Sequence, residues 1–267
     1  MLKDMTIGQY YPADSLLHRL DPRVKFIGTL VFVISLFLVE NYGYLICTGF
    51  LIFSVIISKI PVRYLIKGLK PILFLLIFTA LLNLFLTQGE IIWQAGVFKI
   101  TKEGIRTACL MAIRFTFLVL GASLMTLTTT PNKLTDGLES LLSPLAKIKF
   151  PVHEMAMMMS IALRFIPILL EESDKIMKAQ MARGADFESG NLINKAKSMI
   201  PLLIPLFVSA FRRASDLALA MEARCYNGAD GRTHMKPLRY TGRDCAAYAV
   251  LFGYLGVLIV LKILFGF

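Results

Sequence analysis

Between Pro151 and Gly228 the chain twice repeats one pattern, a long helix-forming run that is apolar in its first half and charged in its second. The first run is apolar from Met155 to Leu170 and polar from Glu171 to Phe187. The second is apolar from Met199 to Phe211, then carries Arg212, Arg213, Asp216, Glu222 and Arg224. A helix of about 34 residues is on the order of 50 Å long, more than the roughly 30 Å of a bilayer's hydrocarbon core. Neither an ordinary soluble core nor a simple membrane span accommodates such a helix. Each run reads as a lever with one end in or against lipid and the other in water. Each also ends on an Ala-Arg step, Ala182-Arg183-Gly184 and Ala223-Arg224-Cys225.

The rest of the chain supplies the membrane. Of its 267 residues 56% are hydrophobic, and its mean hydropathy of +0.66 is outside the range of ordinary soluble domains. The formal charge of +11 then reports orientation, because Lys and Arg collect in cytoplasmic loops. Nucleic acid, the other common reason for basicity, is not expected, since no basic helix or basic-aromatic interleaving is present. Cys47, Cys109, Cys225 and Cys245 show neither zinc nor disulfide spacing, and His18, His153 and His234 are scattered.

Apolar segments at about 24–39, 42–58, 71–87, 105–127 and 244–265 predict five transmembrane helices. Glu40-Asn41 ends the first, and Lys59, Arg63, Lys67 and Lys70 form a basic loop before the third. Glu90–Trp93 and Val97–Ile100 predict a small interfacial hairpin. The basic N-terminus and the 59–70 loop put the amino end, and residues 130–243, in the cytoplasm. The apolar halves of the levers are at most about 16 residues, short of a full span, and are expected to dip into the membrane edge without crossing. Leu134, Leu138, Leu141, Leu142 and Leu145 recur at three- and four-residue steps, predicting an amphipathic helix over 132–148 that starts at Thr130 or Pro131 and stops before Pro151. It lies either on the membrane surface or under the levers. Pro167, Pro201 and Pro205 are expected to kink the levers. Arg114 is the one charge well inside a proposed span, and snorkelling is its favoured disposition over facing the bundle or a partner.

An arginine near a helix C-terminus is favoured by the macrodipole and needs no other reason; glycine after it is an ordinary stop signal. Here the step occurs twice, and the flanking residues Ala179, Ala182, Ala220, Met221 and Ala223 are small or apolar. A long cation rising from a low surface suits an acidic groove on another protein. Consecutive helices joined by a short link run antiparallel or cross, so the two tips stand tens of Å apart. Two equivalent tips imply two equivalent partners. Met155, Met157, Met158 and Met159 make the start of the first lever soft, either as core packing or as an adaptable sliding surface.

Asp21-Pro22-Arg23-Val24-Lys25, Gly137-Leu138-Glu139-Ser140-Leu141-Leu142-Ser143-Pro144-Leu145, Ser160-Ile161-Ala162-Leu163-Arg164-Phe165-Ile166-Pro167, Phe207-Val208-Ser209-Ala210-Phe211-Arg212-Arg213-Ala214 and both Ala-Arg steps resemble the transmembrane (T) component of energy-coupling factor (ECF) transporters, bacterial and archaeal importers of vitamins and metal ions. The resemblance covers most of the chain and is densest over 130–228. It implies that the levers are coupling helices. It also implies that Ala182, Arg183 and Gly184, with Ala223, Arg224 and Cys225, form two motifs that dock on paired ATPases of EcfA and EcfA′ type. Cys225 stands where glycine often follows the second arginine, a position taken to accept small residues. A separate S component would bind the substrate, and Met155, Met158, Met159, Leu138, Leu142 and Pro205 are its candidate contacts. ATP and Mg would be bound by the ATPases, with no cofactor in this chain.

The expected architecture is an all-α membrane protein: about five transmembrane helices plus a cytoplasmic coupling domain of one short amphipathic helix and two long crossed ones. Its parts are a transmembrane domain over 1–130, the coupling domain over 131–228, and a basic linker with the last span over 229–267. The expected function is non-catalytic, passing the motions of two ATPases to the S component in the bacterial cell membrane. No Walker phosphate loop is present. A stand-alone permease would place a polar pathway inside its spans, and none is visible. A membrane phosphotransferase would cluster its aspartates, whereas Asp136, Asp174, Asp186, Asp216 and Asp230 are dispersed.

Overall fold

The computed structural model of the chain describes residues 10–39, 43–95, 98–185, 187, 192–228, 235 and 237–265. The expected stop at Glu40-Asn41, and Asp186, Asp230 and His234, lie outside the described residues. The chain divides into two compact units, one of Gly8–Gly137 with Leu238–Phe267, the other containing Leu138–Pro237.

The larger unit is helical, apart from one hairpin among the described residues. It contains α1 (Leu16–Arg19), α2 (Pro22–Leu38), α3 (Gly43–Ser58), α4 (Val62–Leu69), α5 (Leu73–Leu86), β1 (Ile91–Ala95), β2 (Phe98–Thr101), α6 (Lys102–Thr128) and α11 (Gly242–Phe265). α7 (Pro131–Leu142) begins in this unit. The strands pair antiparallel, forming the expected hairpin, with Gln94 opposite Lys99 and Ala95 opposite Phe98. Thr101 then caps α6, its hydroxyl accepting from the Gly104 N–H at 3.0 Å.

Four described helices are long and apolar enough to cross a membrane: Val62–Leu86, Lys102–Thr128, Val152–Ala182 and Gly242–Leu264. Three of them contain expected spans. The fourth is the first lever, which contains an 18-residue stretch apolar enough to cross, so the expectation that its apolar part is too short to span is corrected. α2 and α3, with 17 and 16 residues, extend only about 24–26 Å, so these two expected spans fall short of the length that crosses a membrane, α3 being a shorter apolar helix. The basic loop at 59–70 is also corrected. From Val62 it is helix α4, which a 3-10 turn over Lys70–Ile72 joins to α5. Pro71 does not break the run because it sits at the start of that turn, where no N–H is needed.

The core of this unit lies where α2, α3 and α11 meet. Leu36 and Cys47 are fully enclosed, and the Tyr254 ring stacks on Phe50 at 4.3 Å. The Tyr254 hydroxyl lies 2.7 Å from Ser35 Oγ and 3.2 Å from Cys47 Sγ, which satisfies its polar end inside an apolar cluster. Arg114 is held between the end of α2 and the start of α3. Its Nε donates to Tyr44 Oη at 2.9 Å and its guanidinium stands 5.5 Å from the Phe37 ring.

The Asp21–Lys25 motif ties three helix ends together. Asp21 caps α2 by accepting from the Arg23 N–H at 2.9 Å. Its own N–H donates to Asp244 Oδ1 at 2.8 Å, while Asp244 Oδ2 accepts from the Thr241 N–H and hydroxyl, both at 2.7 Å. The Lys25 ammonium donates to the carbonyls of His18 and Thr128 at 3.3 and 2.9 Å. The last carbonyls of α6, which no helical N–H reaches, thereby gain a cation. His18 is buried beside them. Its Nε2 lies 3.0 Å from the Tyr11 carbonyl and its Nδ1 2.7 Å from Ser15 Oγ, an arrangement suited to the neutral ring with its proton on Nε2. Burial pushes its pKa below the usual histidine value.

The second unit contains α8 (Val152–Ala182), α9 (Leu192–Ser198) and α10 (Ile200–Glu222). The expected helix over 132–148 is shorter than its pattern suggests: α7 stops at Leu142 and a 3-10 turn covers Ser143–Ile148. Pro144 has no N–H to carry the α-helical ladder onward. Pro201 is corrected likewise. It lies in the first turn of α10, where the missing N–H costs nothing, so only Pro167 and Pro205 interrupt a helix interior.

Candidate functional site

Among the described residues, two polar contacts link the two long helices. Arg213 Nη2 on α10 donates to Glu172 Oε2 on α8 at 3.1 Å. Nearer the opposite end, Gln180 Nε2 donates to the Pro201 carbonyl at 3.2 Å. That carbonyl lacks its helical partner because residue 205 is proline. One helix thus satisfies an acceptor that a proline has freed on the other. Residue numbers fall along α8 as they rise along α10, so the helices pack antiparallel.

Arg183 and Arg224 end these helices in the same local geometry. At the first end the Gly184 N–H donates to the Met181 carbonyl and the Ala185 N–H to the Gln180 carbonyl, both at 3.0 Å. At the second the Cys225 N–H donates to the Glu222 carbonyl at 2.9 Å and the Tyr226 N–H to the Met221 carbonyl at 3.0 Å. Each pair is a Schellman closure, which places a left-handed residue directly after the arginine. Gly184 has φ +90° and Cys225 has φ +54°. The requirement after the second arginine is therefore a positive φ rather than a small side chain. Glycine meets it without strain, and cysteine adopts it at a cost.

Both arginines are exposed, as are Ala182, Gly184, Ala223 and Cys225. The antiparallel register sets them at opposite ends of the pair. Arg183 lies three residues past Gln180, which touches Pro201, and Arg224 is 23 residues beyond Pro201 on α10. At 1.5 Å per residue the tips are roughly 35 Å apart. The arrangement presents two exposed arginines, each between exposed small residues, at opposite ends of the pair. Among the described residues no three His, Cys, Asp or Glu side chains converge as a metal site requires.

Of the candidate contacts for a second partner, Met155, Met158, Met159 and Leu142 are exposed, while Leu138 and Pro205 are half-buried. The apolar surface also includes residues not singled out from sequence. Ile204, Phe207, Val208 and Phe211 on α10 are 60%, 62%, 53% and 71% exposed. Their three- and four-residue spacing puts them along one side of the helix, a signal that was available in the sequence. These side chains and the methionines expose apolar area on both long helices.

Comparison with known proteins decides the family. The cobalt transport protein family, CbiQ, matches residues 13–235. The energy-coupling factor transporter transmembrane protein EcfT of Ruminiclostridium cellulolyticum is 55% identical over 266 residues, covering 99% of this chain and all of the relative. The proteins of the same name from Clostridium kluyveri and Bacillus subtilis are 54% and 50% identical, over 92% and 98% of this chain and 93% and 100% of theirs. The chain belongs to the EcfT family. As an EcfT-family protein it is the transmembrane component of an energy-coupling factor transporter, and the long α8–α10 pair, with its twin arginine ends, lies within the region the family match covers.

Proposed function

We propose that this EcfT-family chain is a non-catalytic coupling subunit. Two ATPase subunits of EcfA and EcfA′ type bind ATP and Mg, and grip Arg183 and Arg224, each with its flanking residues. Their hydrolysis-driven motion passes through α8 and α10 to a separate S component that carries the vitamin or metal ion. The S component lies against the apolar surface of Met155, Met158, Met159, Leu138, Leu142 and Pro205, extended by Phe207 and Phe211. The chain lies in the bacterial cytoplasmic membrane, with its N-terminus and the coupling helices in the cytoplasm, following its lysine and arginine distribution.

One observation carries this reading: two exposed arginines occupy the same Schellman position at opposite ends of an antiparallel helix pair. Helix-end stability alone explains neither the duplication nor the small residues around each tip. The test is the double variant Arg183→Ala, Arg224→Ala, expressed with its ATPases and S component. The chain is expected to reach the membrane folded, while ATPase co-purification and ATP-driven uptake are lost. A stable complex with full uptake activity from that variant overturns the proposal.

A further inference from the structure

The larger unit holds a half-open cavity of about 340 Å³ between α1, α2, α3, α6 and α11 that the coupling function does not use. Its wall is overwhelmingly apolar, with Leu20, Phe32, Phe50 and Leu251 among the lining side chains. The space exists because small residues face it: Gly28 on α2, Gly121 on α6, and Ala246 and Ala247 on α11. A Cβ placed on Gly28 meets no atom within 4 Å. Water does not fill a space with so few polar partners, and leaving it empty forfeits the contacts that a packed bundle makes. Phe53 on α3 and Val250 on α11, which line it, are themselves 48% and 44% exposed, so the cavity communicates with the outer surface of an apolar helix and of one long enough to cross a membrane.

One end of the cavity is lined by two cationic side chains, Lys25 and Arg243. Arg243 stands there, exposed in the first turn of α11 and without an ion-pair partner among the described residues. A cation at a helix N-terminus is opposed by the macrodipole, so helix stability does not explain it. The buried Lys25 ammonium lies at the same end, donating to two carbonyls, with the Asp21 and Asp244 carboxylates acting on it from nearby. An apolar slot that opens sideways and is cationic at its mouth has the chemistry of one lipid class.

We propose that this cavity binds an anionic phospholipid, one acyl chain lying against Gly28 and Phe32 and the phosphate pairing with the Arg243 guanidinium. The full chain, purified in mild detergent, is mixed with equal amounts of dioleoylphosphatidylglycerol and dioleoylphosphatidylcholine, and retained lipid is counted by native mass spectrometry. The wild type is expected to keep phosphatidylglycerol at least tenfold over phosphatidylcholine. Gly28→Leu, which fills the slot and favours the helix, is expected to lower retention of both lipids about tenfold. Arg243→Gln is expected to keep a bound lipid but bring the preference close to one. Equal retention of the two lipids by the wild type, unchanged retention in Gly28→Leu, or an intact preference in Arg243→Gln each overturns the proposal. The wild-type comparison decides even if a variant fails to fold.

Discussion

The two arginine ends share a backbone geometry but not a residue, so one exchange of residues has opposite consequences at the two sites. Gly184 has φ +90° and open space around its missing Cβ, so Gly184→Ala tests backbone strain alone. An L-residue in the left-handed region costs about 1–2 kcal/mol. Alanine also restricts the unfolded chain, which returns roughly 0.4–1 kcal/mol. The net is a loosening of up to about 1.6 kcal/mol, a factor of up to roughly 15 in local opening. Cys225→Gly relieves the same strain at φ +54° and is expected to tighten its helix end by a similar amount. Cys225 is exposed, so little packing is lost with its side chain. Hydrogen exchange on the detergent-solubilised full chain reads both ends in one experiment. Amides of Gly184 and Ala185 should exchange faster in Gly184→Ala, and those of Cys225 and Tyr226 slower in Cys225→Gly. Equal behaviour at the two ends, or faster exchange in Cys225→Gly, would show that the closures do not set the arginine positions.

Three further outcomes are expected. Gln180→Met removes the donor that serves the Pro201 carbonyl at an exposed contact, costing about 0.5 kcal/mol, and Pro205→Ala, which restores a helical N–H to that carbonyl, should abolish the cost; a double-mutant cycle by thermal unfolding detects this. The half-exposed Glu172–Arg213 pair should show a coupling of about 0.5–1 kcal/mol in a Glu172→Gln, Arg213→Met cycle, falling as salt is raised. His18 is neutral in its buried site and its pKa is lowered, so its contribution to stability is present above the ordinary value of 6.5 and is lost as pH falls through the lower folded value. Thermal unfolding across that acidic window should show a pH dependence that His18→Gln diminishes.

What was legible in the sequence, and what was not, divides along physical lines. Long apolar runs announced α5, α6 and α11, and β-branched runs punctuated by glycine announced the hairpin, because both signals are local. Helix α4 was hidden by its charge. Arg63, Lys67 and Lys70 follow four- and three-residue steps, a helical spacing, but a basic stretch before a proline resembles a loop. Pro144 and Pro201 show how a proline's meaning depends on register: one halts α7's pattern, and the other sits harmlessly in a first turn. The Ala-Arg steps were visible as words, whereas the positive φ that follows each is a backbone property that Cys225 disguises. The partners of Arg114 were not legible, because Phe37 and Tyr44 lie 77 and 70 residues away in sequence and are brought to it only by packing.

The two contacts between α8 and α10 bear on whether such a pair can transmit motion at all. A single contact between crossed helices is a pivot about which they scissor freely, and displacement at one tip then dissipates as a change of angle. Two contacts separated along the helices remove that freedom. Glu172 and Gln180 are eight residues apart on α8, about 12 Å, and their partners Arg213 and Pro201 are twelve apart on α10, about 18 Å. Scissoring requires that one contact break. The Gln180 contact exists because Pro205 frees an acceptor, so the proline that weakens α10 locally also fastens it to α8. On the coupling proposal, an outward pull on Arg183 reaches Arg224's helix through that fastening. Gln180→Met combined with Arg213→Met should therefore lower ATP-driven uptake more than it lowers ATPase binding, since both tips remain intact. If the paired loss leaves uptake per ATP hydrolysed unchanged, the helices carry force through their apolar packing, and the polar contacts only set their register.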